Sequence, residues 1–324
     1  MTRPGHPAER AAASLGVLFA AVAALGALTA CQPGRTVAQS TPATDSAALV
    51  RDLAALSADS MEGRAPGTEG GDRARRYLVR ALESAGIPPL GVAYEHPFAW
   101  DAGSGVNLVG AVRGQAEPDA FIVLTAHFDH EGVRDGAIFN GADDNASGTA
   151  AALEIARRVL EQPLRHTLVV ALLDAEESGL RGARAFVEHQ PVPLADVRLN
   201  VNLDMVSRTS GVLWAAGAHH TPWLRPVLEA VGAEAPVTLR LGHDRPDAPE
   251  GDDWTSASDH GPFHAAGVPF VYFGVEDHAD YHRPTDDFER VDAGEFVASV
   301  RTILTALRAL DASLGERSPA EGGR

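Results

Sequence analysis

Residues 120–130 read Ala-Phe-Ile-Val-Leu-Thr-Ala-His-Phe-Asp-His. The unbroken apolar run at 120–125 predicts a strand covered on both faces, the kind found in parallel sheets. Polar residues follow it at once: His127, Asp129 and His130. A second run, Thr-Leu-Val-Val-Ala-Leu-Leu at 167–173, predicts a second buried strand, and further strands are predicted at 198–203, 211–216 and 268–274. Helical spacing intervenes. Ala74, Tyr77, Leu78, Ala81, Leu82 and Ala85 mark a helix over 72–85, stopped by Gly86 and Pro88. Helices are also predicted at 148–161, 179–189 and 294–312. Strands alternating with helices imply an α/β fold, a mostly parallel sheet with helices on both faces. In such sheets ligands bind beyond the carboxyl ends of the strands.

The polar clusters of this chain stand at those ends. After 167–173 comes Asp174-Ala175-Glu176-Glu177-Ser178-Gly179-Leu180. After 198–203 comes Asp204-Met205, and after 268–274 come Tyr281-His282. Between the first two strands lies Gly141-Ala142-Asp143-Asp144-Asn145-Ala146-Ser147-Gly148, opening a helix. Any one cluster has a plain explanation, since a carboxylate at a helix start is usually a cap and a lone His is usually a satisfied structural group. Four clusters, each just past an apolar strand, would be gathered by the sheet onto one rim. Their donors suit zinc, which accepts imidazole and carboxylate and in catalytic sites keeps a position for water. Two metals about 3.5–4 Å apart clamp attacking and leaving oxygens together, which calls for two histidines, three carboxylates and one further carboxylate as base.

The composition narrows the rest. The chain has 324 residues, 45% hydrophobic, with 27 basic against 44 acidic side chains and a net charge of −17. Every basic residue except histidine is an arginine. An acidic chain without a basic stripe argues against nucleic-acid partners. One cysteine, Cys31, excludes an intramolecular disulfide and a Cys-rich zinc site. Arg3 and Arg10 precede an uncharged stretch, Ala11 to Ala30, which ends Leu28-Thr29-Ala30-Cys31. A charged start, an apolar run and small residues at its end describe a secretory signal, and the end resembles a bacterial lipobox. The alternative is a plain anchor helix. We therefore expect a lipoprotein signal peptide over 1–30, lipidation at Cys31, a flexible tether over 31–44, a catalytic domain over 45–314 and a frayed tail over 315–324. Localisation to the cell envelope follows, with membrane contact only through the lipid anchor. The acidic stretch 243–253 fits no calcium-loop spacing and reads as a solvated loop.

Taken in order, Ala126-His127-Phe128-Asp129, Gly141 to Gly148, Glu176-Glu177-Ser178-Gly179-Leu180-Arg181-Gly182, Asn202-Leu203-Asp204-Met205, Ser258-Asp259-His260 and Tyr281-His282 resemble metallopeptidase family twenty-eight. These are co-catalytic zinc aminopeptidases, among them leucine aminopeptidases secreted by Vibrio and Streptomyces. Gly63-Arg64-Ala65-Pro66-Gly67-Thr68 also resembles the stretch before the family's first helix. The likeness covers about 45–312, with no gap long enough for a protease-associated insert domain. It implies a three-layer αβα sandwich with a mixed, mostly parallel central sheet, two zinc ions per chain, peptide substrates and a monomer. His127 and Asp204 would ligate one zinc and Glu177 and His282 the other. Asp144 would bridge both, in preference to Asp143, through a residue whose bond to Asn145 is cis. Glu176 would be the general base toward the bridging water, Asp129 would orient His127, and Tyr281 would donate to the developing oxyanion. Phe128, Ala183 and Ser207-Arg208 depart from the common pattern, at positions that bear on substrate fit rather than on metal.

Three activities stay open on these residues. The first is an exported aminopeptidase. The second is a related dipeptidase, a glutamate-releasing carboxypeptidase or a one-zinc glutaminyl cyclase. The third is a non-catalytic binding domain, whose hallmark would be missing ligands.

Overall fold

Residues 44–249 and 251–316 are described by the computed structural model. The signal segment, Cys31, the tether up to residue 43 and residues 317–324 lie outside the described residues. In chain order the helices are α1 (Ser46–Leu56), α2 (Glu69–Ala85), α3 (Gly148–Glu161), α4 (Arg181–His189), α5 (Leu224–Gly232), α6 (His260–Ala265) and α7 (Ala293–Glu316). The strands are β1 (Glu95–Trp100), β2 (Gly103–Val112), β3 (Glu117–His127), β4 (Gly132–Arg134), β5 (Ala137–Phe139), β6 (His166–Leu173), β7 (Val197–Leu203), β8 (Val212–Ala216), β9 (Thr238–Leu241) and β10 (Phe270–Gly274).

Eight strands form the central sheet in the order β1-β2-β6-β3-β7-β10-β8-β9. Its middle, β6-β3-β7-β10, is parallel throughout. The β1–β2 hairpin joins β6 antiparallel on one side, and β8 joins β10 antiparallel on the other. The sheet is therefore mixed and mostly parallel. A separate two-stranded hairpin, β4–β5, stands outside it.

The apolar runs explain the layers. Along β6, Leu168, Val170 and Leu172 pack into one hydrophobic core, and Val169, Ala171 and Leu173 pack into another. Along β3, Ile122 and Leu124 face the first core and Val123 the second. Successive strand side chains point to opposite faces, so an unbroken apolar run is what a doubly covered strand requires. The larger core is shared with α1, α2, α3, α5 and α7, and the smaller one with α4 and α6. Helix α2 begins three residues before the expected start, because the Thr68 hydroxyl accepts from Gly71 N at 3.1 Å and caps it. It ends on Gly86 at φ +74, a left-handed cap. Helix α7 continues to Glu316, into the stretch read as tail.

Because β6, β3, β7 and β10 run the same way, their carboxyl ends at Leu173, His127, Leu203 and Gly274 share one edge of the sheet. Among the described residues no helix is long and apolar enough to cross a membrane.

Leu124 is fully buried in the middle strand β3. Leu124→Ala should cost about 2–5 kcal/mol of stability, the range for a core leucine whose cavity cannot collapse. Urea denaturation of both proteins measures it; a loss under about 1 kcal/mol would show that this strand is not packed against the larger core.

Candidate active site

The strand ends deliver the side chains. His127 is the last residue of β3, and Asp204 follows β7 directly. Glu176 and Glu177 lie in the turn after β6, Asp144 in the turn Ala142–Ser147 before α3, and Tyr281 and His282 in the loop after β10. His127 Nε2 is 3.5 Å from Asp144 Oδ1 and 3.4 Å from Asp204 Oδ1. His282 Nε2 is 3.1 Å from Asp144 Oδ2 and 3.4 Å from Glu177 Oε2. The two oxygens of Asp144 thus face two different histidines. All five side chains expected from sequence to hold metal are brought together.

Neighbouring loops fix Asp144. The amides of Asp143 and Asp144 both donate to Asp286 Oδ2, at 3.0 and 3.1 Å. Asn145 donates to Leu203 O and accepts from Gly148 N and Met205 N, and the Asp144–Asn145 bond is cis. The other candidate, Asp143, is occupied elsewhere. Its Oδ1 accepts from Ser207 N and Oγ at 2.8 and 2.7 Å, and its Oδ2 is 3.2 Å from His278 Nε2.

Asp129 meets the other ring nitrogen of His127. The nearer contact to His127 Nδ1 is the Asp129 backbone carbonyl at 3.1 Å, with the carboxylate at 3.6 Å. The carboxylate instead accepts from Glu176 N at 3.0 Å and Glu177 N at 3.3 Å. It pins the turn that carries both glutamates. The two side chains then part: Glu176 lines a pocket with Tyr281, Met205, Trp254 and Asp277, while Glu177 lies against His282 and against His130 Nδ1 at 2.7 Å. The Tyr281 ring stacks on that of His282, with centroids 3.9 Å apart.

Four buried groups escaped the sequence reading as site residues. His130 was visible in the first motif but carried no assigned task. Arg64, fully buried, donates to the carbonyls of Phe128 (2.7 Å), Leu56 (2.7 Å), Asn140 (2.6 Å) and Gly141 (3.0 Å). Asp286 carries the amides named above. Asp259 is fully buried, and neither of its carboxylate oxygens has a hydrogen-bond partner among the described residues. The motifs Gly63-Arg64 and Ser258-Asp259-His260 were the only signals for two of these. The acidic loop, too, is less solvated than expected: Asp244 is buried and accepts from Gly217 N and His219 N.

The sequence profile of Peptidase family M28 matches residues 107–307, more than half of the chain. The chain belongs to peptidase family M28. Aminopeptidase YwaD of Bacillus subtilis is 29% identical over 206 residues, 57% of this chain and 40% of that protein. A probable glutamate carboxypeptidase of Zea mays is 32% identical over 201 residues, 56% of this chain and 26% of that one. The matched stretch therefore spans less than half of these relatives. Among solved structures, a leucine aminopeptidase precursor from Bacteroides thetaiotaomicron has the same fold, with TM-score 0.66 and 20% identity over 83% of this chain and 98% of that one. So does the glutaminyl cyclase of Porphyromonas gingivalis, with TM-score 0.67 and 20% identity over 83% and 99%.

M28 is a zinc metallopeptidase family, and the donor set of this M28 chain fits such an ion. The converging atoms are imidazole nitrogens and carboxylate oxygens, the ligands zinc takes. Asp204 Oδ1 is buried without a hydrogen-bond partner among the described residues, as a ligand atom would be. Charge gives the same answer. Burial raises the Asp144 carboxyl above its usual range, Glu176 well above it, and Glu177 to about 7. His127 stays well above the ordinary imidazole value despite burial, because Asp204 and Glu176 face it. The hydrogen bond to Asp144 pushes His282 up to about 9. Protons here do what a divalent cation does better: they offset carboxylates crowded in a dry site.

Arg64 is the fixed cation beneath this cluster, its own value drawn down to about 10 by burial. Arg64→Met leaves its carbonyl partners unsatisfied, each costing about 1–3 kcal/mol. The M28 domain should lose more than about 3 kcal/mol in urea denaturation, and a loss below that would contradict the role given to the guanidinium.

Proposed function

We propose that the protein is an exported di-zinc aminopeptidase that removes N-terminal residues from peptides. The observation that carries the aminopeptidase reading is the pocket wall. Beside the metal-site groups it presents Glu176 and Asp277 with apolar Met205, Trp254, Ala257 and Val275, and, among the described residues, no arginine. Carboxylates suit a protonated substrate amine, whereas recognition of a C-terminal carboxylate calls for a cation.

One ion would be held by His127, Asp204 and Asp144 Oδ1, the other by Asp144 Oδ2, Glu177 and His282, which is how the two oxygens of Asp144 are already divided. When bound, zinc supplies Lewis acidity and lowers the pKa of water toward 7. Glu176 takes the proton from the attacking water on its carboxylate and returns it to the leaving amine nitrogen as the C–N bond breaks. Its place on the pocket wall, at the end of the turn pinned by Asp129, suits that task better than that of Glu177, whose oxygens lie against His130 and His282. The Tyr281 hydroxyl, held protonated by burial, donates to the carbonyl oxygen as negative charge develops there. The ring stack on His282 sets its direction.

Steady-state kinetics on aminoacyl-amides, N-blocked peptides and an N-terminal glutaminyl peptide test the reading. The chain should release amine from free aminoacyl-amides and leave blocked peptides intact. Cyclisation of glutamine without amide hydrolysis would overturn it. Glu176→Gln should keep both metals and nearly normal KM while losing about 10²–10⁴-fold or more in kcat. Glu177→Gln should weaken one metal, with partial rescue by excess zinc. If Glu176→Gln loses metal and Glu177→Gln loses only turnover, the roles are reversed.

Export is proposed on the sequence of the first 31 residues alone: Arg3 and Arg10, the uncharged run Ala11 to Ala30 and its end Leu28-Thr29-Ala30-Cys31. In membrane fractionation the wild type should sediment with membranes and Cys31→Ser should stay unprocessed or become soluble, since several acyl chains on one residue anchor stably. A wholly soluble wild type that retains Met1 would refute it.

A further inference from the structure

His130 touches the site and has no task in the scheme above. Its side chain is buried, three residues past His127. Its Nδ1 lies 2.7 Å from Glu177 Oε1 and 3.7 Å from Asp144 Oδ2. Its Nε2 is buried with no hydrogen-bond partner among the described residues. A neutral imidazole carries a single N–H, and a carboxylate oxygen only accepts. With Glu177 ionised, as a metal ligand must be, the short contact places the proton on Nδ1 and leaves Nε2 a bare lone pair. Gly141, at φ +53, lies beside the ring: a Cβ there would collide with its Cγ and Cδ2. The other oxygen of Glu177, Oε2, is the one that faces His282 Nε2, at 3.4 Å.

We propose that His130 is a positioning residue for the second metal site: its Nδ1–H holds Oε1 of Glu177, so that Oε2 is turned toward the position shared with Asp144 and His282. The inference rests on the zinc reading above. A glutamate free to sample its rotamers loses that freedom on binding an ion; one already gripped at a single oxygen does not. Hydrogen-bond partners of metal ligands are typically worth 10–100-fold in metal affinity. Within this chain the grip also divides labour in the Glu176-Glu177 pair, since His130 engages only the second residue.

The test is zinc affinity of the metal-free protein, read by competition with a chromophoric chelator, for wild type, His130→Leu, His130→Asn and His130→Gln. Urea midpoints are taken alongside to register folding. An asparagine amide reaches the position of Nδ1, and a glutamine amide that of Nε2. His130→Leu should weaken one of two zinc sites by about 10–100-fold and leave the other unchanged. His130→Asn should restore most of the loss and His130→Gln should not. Should His130→Leu fail to fold, the Asn–Gln contrast decides alone. Wild-type affinity in His130→Leu would overturn the inference, and so would an Asn variant as weak as the Gln variant, the result expected if His130 were itself a ligand. A wild type that binds no zinc fails the zinc reading instead, so the two failures are distinguishable.

Discussion

Asp144 turns one carboxylate oxygen toward His127 and the other toward His282, and the surrounding structure serves to keep it there. Its own backbone amide and that of Asp143 hang from Asp286 Oδ2. The following residue is tied to the end of β7 through Leu203 and Met205. The preceding residues, Asn140 and Gly141, are held from below by the Arg64 guanidinium. Every hydrogen bond in this set joins segments far apart in sequence. A carboxylate so constrained loses little further freedom when it binds an ion, and preorganisation of that kind is what a catalytic site requires.

The same crowding sets the electrostatics. Asp129, Asp144, Glu176, Glu177, Asp204 and Asp259 gather around one buried edge of the sheet, and Arg64 is the buried guanidinium among them. Burial of so many carboxylates is unfavourable unless charge is offset, which is why Asp259 is pushed up to about 8 and Glu177 to about 7. Divalent cations at this edge would remove that cost, so that metal binding and stability are linked.

The elements legible in the sequence are those whose residues state their environment locally. The runs in β3 and β6 are apolar without interruption because both faces are covered, and α2 shows its helical stripe between Thr68 and Gly86. The β1–β2 hairpin was not legible. Gly103 and Gly105 interrupt β2, and its exposed start hides the buried stretch that pairs with β6. The metal-site candidates were legible because they stand in polar clusters past the ends of strands or, for Asp144, at the opening of α3. His130, Arg64 and the carboxylate of Asp129 were not, because their tasks are contacts across 47, 64 or more residues of chain. Spacing cannot tell a histidine that faces the metal position from one that grips a ligand behind it.

The central claim is that a single carboxylate serves two ions. Zinc content by mass spectrometry of the purified wild type and of Asp144→Ala, each washed free of loosely held metal, tests it most directly. The account predicts close to two zinc ions per chain in the wild type and loss of both in the folded variant. A folded Asp144→Ala that retains one or both ions would contradict it.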